Sequence, residues 1–261
     1  MAFSNEQFSL TGKVAIVTGA GGRGNSIGRA YAFGLASAGA SVVVADLNGA
    51  GAEAVTDEIT AAGGKAIKVQ VDITDRYSVG AMVKTATDAF GGIDILVNNA
   101  ALMAELSYTP ASSVGLEEWN KVLAVNLTGA LNCVQAVIPS MRQRGGGKIV
   151  NQTSAGAYPA YTVYGISKIA LVGLTTTLAK ELGKDKINVN AIAPGNVMSD
   201  AGKKLTPDGG RFVQETEGKV ALRLRGQPDE LVGALMLLCS SAGDWISGQV
   251  LHVDGGWILR P

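Results

Sequence analysis

This sequence predicts an α/β fold of the doubly wound type, a seven-stranded parallel sheet in a three-layer α/β/α sandwich. Seven short runs of apolar, β-branched residues recur along the chain, separated by stretches whose apolar residues fall at helical spacing. Strands buried on both faces read as continuous apolar runs, and their alternation with helices is the mark of βα units. Composition agrees, because 47% hydrophobic residues in a chain of 261 supply a sizeable core. No Pro/Ser-rich linker, composition break or repeat interrupts the rhythm, so residues 1–261 are read as a single domain.

The runs lie at 14–18, 41–46, 66–71, 93–98, 148–152, 187–192 and 249–253. After the first, Ser26 is placed to cap a helix whose Ile27, Tyr31, Gly34, Leu35 and Ala38 form one stripe, with Gly39 closing it. Further helices are expected over 49–62, 75–90, 116–143, 161–183 and 228–241. The stretch 199–226 departs from this pattern, with Pro207, Gly209, Gly210, Gly218 and Gly226 set among Lys203, Lys204, Arg211, Arg223 and Arg225. Long insertions of this kind in compact domains are commonly functional covers, so 199–226 is expected to close over a substrate.

Several function classes are disfavoured by composition. Twenty-two basic and twenty-two acidic residues cancel, which removes the basic footprint of a nucleic-acid binder. Cys133 and Cys239 sit in apolar helical contexts and read as reduced core thiols. A single histidine, His252, leaves no ligand set for a transition metal, and it reads as a strand or interface residue. The first residues carry no basic, then apolar, leader pattern, and no run reaches the roughly 18 apolar residues of a membrane span. A cytoplasmic protein is expected.

The first strand runs into Thr18-Gly-Ala-Gly-Gly-Arg-Gly-Asn-Ser-Ile-Gly28 and then a helix. Glycines let the backbone approach a pyrophosphate, and free N–H groups with the positive helix dipole hold it. Gly19, Gly21 and Gly24 form a literal Gly-x-Gly-x-x-Gly. Asp46 ends the second strand, where a carboxylate accepts hydrogen bonds from an adenosine ribose diol and repels a 2′-phosphate. NAD is therefore favoured over NADP, with the Arg23 guanidinium in the turn as the opposing feature. Asp72 and Asn98-Asn-Ala100 mark the ends of the third and fourth strands, the edge where open α/β sheets bind ligands.

Tyr164 and Lys168 are four residues apart on the helix expected over 161–183, hence one turn apart on one face. An ammonium beside a phenol favours the ionised phenol, which suits an acid–base tyrosine. Tyr158 and Tyr161 lack a lysine at that spacing and read as pocket or helix-start aromatics.

These residues, with Asn126-Leu-Thr-Gly, Ser154, Pro194-Gly195 and Asp254-Gly-Gly, make the chain resemble the short-chain dehydrogenase/reductase family in its NAD(P)-dependent oxidoreductase branch, from Leu10 to the C-terminus. The resemblance implies a Rossmann fold and a catalytic tetrad of Asn126, Ser154, Tyr164 and Lys168. Tyr164 would exchange a proton with the alcohol or carbonyl oxygen, and Ser154 would hydrogen-bond it. Lys168 would assist ionisation of the phenol and bind the nicotinamide ribose, and Asn126 would hold a water linking Lys168 to solvent. Cofactor contacts are implied at Gly19, Gly21, Arg23, Ser26, Ile27, Asp46, Leu47, Asp72, Ile73, Asn98, Ala100, Tyr164, Lys168, Pro194, Gly195, Val197 and Ser199, Val197 acting through its backbone on the carboxamide. The implied activity is hydride transfer between NAD(H) and a secondary alcohol or ketone. Its alternatives are an NADPH-dependent 3-oxoacyl-carrier-protein reductase and a nucleotide-binding regulatory protein without turnover.

Two departures from the family pattern stand out. Gly28 lies nine positions after Gly19, a longer span than the family's usual turn, and Ser26 replaces its middle glycine; the longer turn with Ser26-Ile27 is similar to the enoyl-reductase branch. The ten residues from Ser154 to Tyr164 are fewer than usual. The resemblance further implies a homotetramer, and a small-molecule substrate in a pocket drawing on Ala101, Leu102, Met103, Tyr158, Tyr161, Asn196, Met198 and the cover. That mostly apolar lining suits a medium-sized alcohol or ketone, and the nearby lysines and arginines suit an anionic group on it.

Overall fold

The computed structural model describes residues 4–22, 24–103, 106, 109–158, 162–205, 210–216, 218–222 and 225–259. Arg23, Tyr161 and parts of the expected cover, including Pro207, Gly209 and Arg223, lie outside the described residues. All seven expected strands form: β1 Val14–Thr18, β2 Ser41–Asp46, β3 Lys65–Gln70, β4 Ile95–Asn98, β5 Gly147–Gln152, β6 Ile187–Pro194 and β7 Val250–Val253. They join one parallel sheet in the order β3-β2-β1-β4-β5-β6-β7. The order reverses between β1 and β4, so their carboxyl ends diverge there into the crevice where such sheets bind ligands.

Helices α1 Ile27–Ser37, α2 Gly49–Ala61, α3 Arg76–Phe90, α4 Leu116–Leu123, α5 Ala130–Gln143, α6 Val163–Leu182 and α9 Val232–Cys239 cover the two faces, with α7 Asp200–Leu205 and α8 Arg211–Thr216 between β6 and α9. One core layer joins Val17, Val44, Val150 and Ile192 of the sheet to Tyr31 and Leu35 of α1, Ile59 of α2 and Leu235 of α9. The other joins Ile16, Val43, Leu96 and Ile149 to Met82 of α3, Val137 of α5 and Leu178 of α6. Alternate strand residues thus serve opposite layers. Cys133 and Cys239 are free and buried, and burial pushes both thiols up to about 12. Helical structure is unbroken from Leu116 to Gln143, a run long and apolar enough to cross a bilayer, yet it lies against the core through Val122, Val134, Val137 and Met141.

At the amino ends of the strands, Asp94 accepts from Val14 N at 2.9 Å and from Arg144 Nε and Nη2 at 3.1 and 2.9 Å, with Lys13 Nζ at 3.8 Å. The carboxylate also raises the Arg144 pKa above its ordinary value. A groove of about 900 Å³ lies at this edge, lined by Asp94, Arg144, Lys148 and Lys186, and holds none of the candidate catalytic residues. Asp94 is 6% exposed, so its removal leaves the Arg144 guanidinium without this carboxylate and the buried Val14 amide without an acceptor. Asp94→Ala is expected to cost roughly 2 kcal/mol, reduced from the fully buried case because Arg144 reaches solvent. Urea unfolding of Asp94→Ala and Asp94→Asn checks this: a loss in the alanine variant no greater than in the asparagine variant contradicts it.

Candidate active site

The glycine turn follows β1 into α1. Ser26 caps α1, its hydroxyl accepting from Arg29 N at 3.2 Å. Gly19 adopts φ 65°, and a Cβ there would stand 2.7 Å from Ala100 Cα. At Gly21 a Cβ would stand 2.6 Å from Ala52 N and 2.8 Å from Asp46 Cβ. Absence of side chains at both positions lets the turn lie against the ends of β2 and β4.

Asp46 accepts from Gly21 N and from Asn48 N, both at 2.8 Å. This carboxylate therefore ties the turn to β2 with its charge beside the turn. Leu47, next to it, is 66% exposed. Asp72 accepts from Thr74 N at 2.8 Å and Thr74 Oγ1 at 2.7 Å, which makes it the organiser of the turn after β3. Ile73 is buried beneath the π-helical turn at Gly129, where a Cβ would stand 2.7 Å from Ile73 Cδ1.

Of the two asparagines ending β4, the expected one faces inward. Asn98 Nδ2 donates to Asn151 Oδ1 at 2.9 Å and to Ala130 O at 3.3 Å, a buried link between β4, β5 and α5. Asn99 reaches the turn: its Nδ2 donates to Thr18 O and Gly19 O, both at 2.9 Å, while Thr18 Oγ1 accepts from Asn99 N at 3.1 Å and Ala100 N at 3.2 Å. Thr18 and Asn99, which the sequence places in motifs at this edge without a contact of their own, close the crevice floor.

Tyr164 and Lys168 both lie on α6 as their spacing requires. Lys168 is 2% exposed; its Nζ donates to Gln152 O at 2.8 Å and stands 5.6 Å from the Tyr164 ring centroid. Burial lowers its pKa to about 8. Ser154 follows β5 and caps the short 3₁₀ turn Ala155–Ala157, its Oγ accepting from Gly156 N at 3.0 Å. That turn packs against α6, so the serine and the Tyr164/Lys168 pair share one end of the sheet.

Asn126 lies in a π-helical turn, Ala124–Gly129, inserted between α4 and α5. Such turns recur at functional sites because they re-aim a helix face. Asn126 Oδ1 accepts from Leu102 N at 2.8 Å, and its Nδ2 donates to Leu102 O at 3.1 Å and Ser167 Oγ at 3.1 Å. The side chain thus holds the 101–103 segment against α6. Tyr158 stacks at a tilt on His252, ring centroids 5.8 Å apart, which brings the lone histidine to the same end of the sheet.

Beyond β6, Gly195 lies so close to Asp254 that a Cβ would stand 2.6 Å from Asp254 Cα. Val197 pairs with Gly226 and is 6% exposed. Ser199 is 4% exposed and immediately precedes α7, its Oγ accepting from Gly202 N at 3.0 Å. Within the expected cover, α7 and α8 form, and Leu222 N donates to Gly255 O at 2.9 Å, tying it to the C-terminal segment.

A dinucleotide fits these residues on two observations. The turn at Gly19 and Gly21 leaves bare backbone before the α1 N-terminus, where a pyrophosphate is held by N–H groups. Gln152 Oε1, at the end of β5, is buried without a hydrogen-bond partner among the described residues, and an N–H of a bound group would satisfy it.

Comparison with known proteins assigns this arrangement. Residues 22–258 match the family model described as enoyl-(acyl carrier protein) reductase. An uncharacterized oxidoreductase of Mycobacterium tuberculosis is 49% identical over 248 residues, covering 95% of this chain and 98% of that protein. The 7α-hydroxysteroid dehydrogenase of Escherichia coli is 36% identical over 260 residues, with 98% of each covered. A solved 7α-hydroxysteroid dehydrogenase complexed with NADH and 7-oxo glycochenodeoxycholic acid superposes with a TM-score of 0.89 at 35% identity, over 99% of both chains. With its single parallel sheet and this match along nearly its whole length, the chain belongs to the short-chain dehydrogenase/reductase family of oxidoreductases.

Proposed function

We propose that this oxidoreductase transfers a hydride between NAD(H) and a secondary alcohol or its ketone, with Tyr164 as general acid and base. The observation that carries the reading is the Tyr164/Lys168 pair on α6, its lysine buried and held by Gln152 O at 2.8 Å, at the end of the sheet where Ser154 follows β5. Bound nicotinamide supplies the hydride acceptor or donor.

Tyr164 takes the hydroxyl proton during oxidation and returns it during reduction. Ser154 hydrogen-bonds the same oxygen, a role a hydroxyl fills in either direction. With a pKa of about 8, Lys168 keeps its charge in most molecules at pH 7; that charge favours the ionised phenol and holds the ribose hydroxyls. Asn126 supports a water between Lys168 and solvent. Contacts from Gly19, Gly21, Ser26, Ile27, Leu47, Asp72, Ile73, Ala100, Pro194, Gly195, Val197 and Ser199 orient the dinucleotide.

The substrate proposed is a medium-sized alcohol or ketone of the hydroxysteroid kind, in keeping with the hydroxysteroid dehydrogenase relative and the apolar Leu102, Met103 and Met198. Assembly as a cytoplasmic homotetramer is part of the same reading, supported by a half-exposed β7 edge and by Trp245, which is fully exposed.

Asp46 supports the choice of NAD(H) over NADP(H). Its carboxylate beside Gly21 repels a ribose phosphate and accepts from ribose hydroxyls. Fluorescence titration is expected to give tighter binding of NADH than NADPH by about tenfold or more. A preference for NADPH would overturn the cofactor assignment and favour the 3-oxoacyl reductase alternative.

A further inference from the structure

The lengthened glycine turn touches the start of the cover. Asn25 Nδ2 donates to Met198 O at 2.9 Å, Asp200 N donates to Asn25 O at 2.9 Å, and Asn25 N donates to Asp200 Oδ2 at 3.2 Å. These bonds join positions 173 and 175 residues apart in the chain. Gly24 takes φ 68°, and a Cβ there would run into the Asp200 carboxylate, so the turn comes this close only with a glycine beside Asn25.

Both ends of this contact are tied to functional elements. On one side, Asn25 immediately precedes Ser26, which caps α1 at the expected pyrophosphate site. On the other, Asp200 is the first residue of α7, whose first turn is closed by Gly202 N on Ser199 Oγ at 3.0 Å and Lys203 N on Ser199 O at 2.8 Å. Behind it, Met198 N donates to Gly226 O at 2.8 Å and Gly226 N to Asn196 O at 2.9 Å. The strip 196–200 is therefore clamped between the glycine turn and Gly226, and it cannot shift unless the Asn25 bonds break.

We propose that Asn25 and Asp200 form a latch through which an occupied glycine turn holds α7 in place over the site. Both are positioning residues: they touch each other and Met198, and they act on the substrate side by fixing where the cover begins. The latch rests on the dinucleotide reading given above. Its physical content is a coupling free energy, because a ligand that stabilises one conformation of the turn stabilises the three bonds that require it.

Trypsin reads this coupling directly, since Lys203 and Lys204 lie in α7 and a helix must open locally to be cut. Saturating NAD is expected to slow cleavage after these lysines about tenfold in the wild type. In Asn25→Ala, brought to equal saturation by fluorescence titration, the slowing should fall below about twofold, and the KM for substrate should rise more than kcat falls. Asp200→Ala should lose the protection as well. Asp200→Asn should keep it, because the amide oxygen still accepts from Asn25 N.

Full protection in both alanine variants would overturn the latch. So would a wild type that binds NAD yet gains no protection. A wild type that binds neither NAD nor NADP would instead remove the dinucleotide reading beneath it, an outcome the titration separates from failure of the latch alone.

Discussion

Tyr164→Phe is expected to lower turnover about 10³-fold while leaving dinucleotide affinity within about twofold of wild type. The substitution removes one oxygen and keeps the ring 5.6 Å from Lys168 Nζ, so α6 and the lysine have no reason to move. On the proposed mechanism, loss of the proton acceptor acts only as the alcohol oxygen sheds its proton, so kcat falls and binding does not. The check is steady-state turnover at the nicotinamide absorbance beside a fluorescence titration of each protein. Turnover within about tenfold of wild type would show that another group carries the proton.

Lys168→Met should pull activity and stability in opposite directions. Lys168 is 2% exposed, hydrogen-bonded to one carbonyl, and brought down to about 8 by burial alone. A buried cation without an anion is costly, and its replacement by an apolar side chain of similar length is commonly neutral or stabilising. Turnover is expected to fall about 10²-fold or more, whereas stability at pH 7 should equal or exceed that of wild type.

The pH dependence follows from the same shift. Below pH 8 both folded and unfolded wild type hold the proton, and the full cost of the buried charge is present. Between about 8 and 10.5 the unfolded chain holds a proton that the folded chain has released, so wild-type stability rises with pH through that window. Lys168→Met should lack this rise. Urea unfolding at pH 7 and pH 10 measures both effects; a variant less stable than wild type by more than about 1 kcal/mol at pH 7 would contradict the argument.

Much of the fold was legible because a sheet covered on both faces leaves continuous apolar runs. Each of the seven strands starts and ends within two residues of its run, and Gly39, with φ 98°, ends α1 as expected. Periodicity was blind to the π-helical turn at Ala124–Gly129, since a single wide turn inside a long apolar helix does not disturb the 3.6-residue pattern enough to read. The stretch 199–226 reads as irregular, yet α7 and α8 form within it; six residues each are too few for a stripe, and the glycines and the one proline of the stretch speak louder.

Within the candidate site, the placement of Tyr164, Lys168 and Ser154 was legible because each depends on local geometry, an i,i+4 face and a strand end. Asn98 and Asn99 were not separable, for adjacent strand-end residues point to opposite sides and the sequence does not say which faces the turn. The Asn99 side chain bonds the glycine turn, and that of Asn98 joins the inner network with Asn151. Asn25, Asp200 and Gln152 were missed for a different reason. Their partners lie far away in sequence or belong to the backbone, and no motif announces such pairs.

At the centre of this account is a phenol on α6 made usable by the buried ammonium one turn further on. The pH profile of kcat for alcohol oxidation, measured for wild type and Lys168→Met with the same substrate and saturating NAD, tests that claim most directly. The account predicts that the pH at half-maximal turnover moves upward by about one unit or more when the ammonium is removed. Superimposable profiles would contradict it, because the lysine would then have no hold on the group that moves the proton.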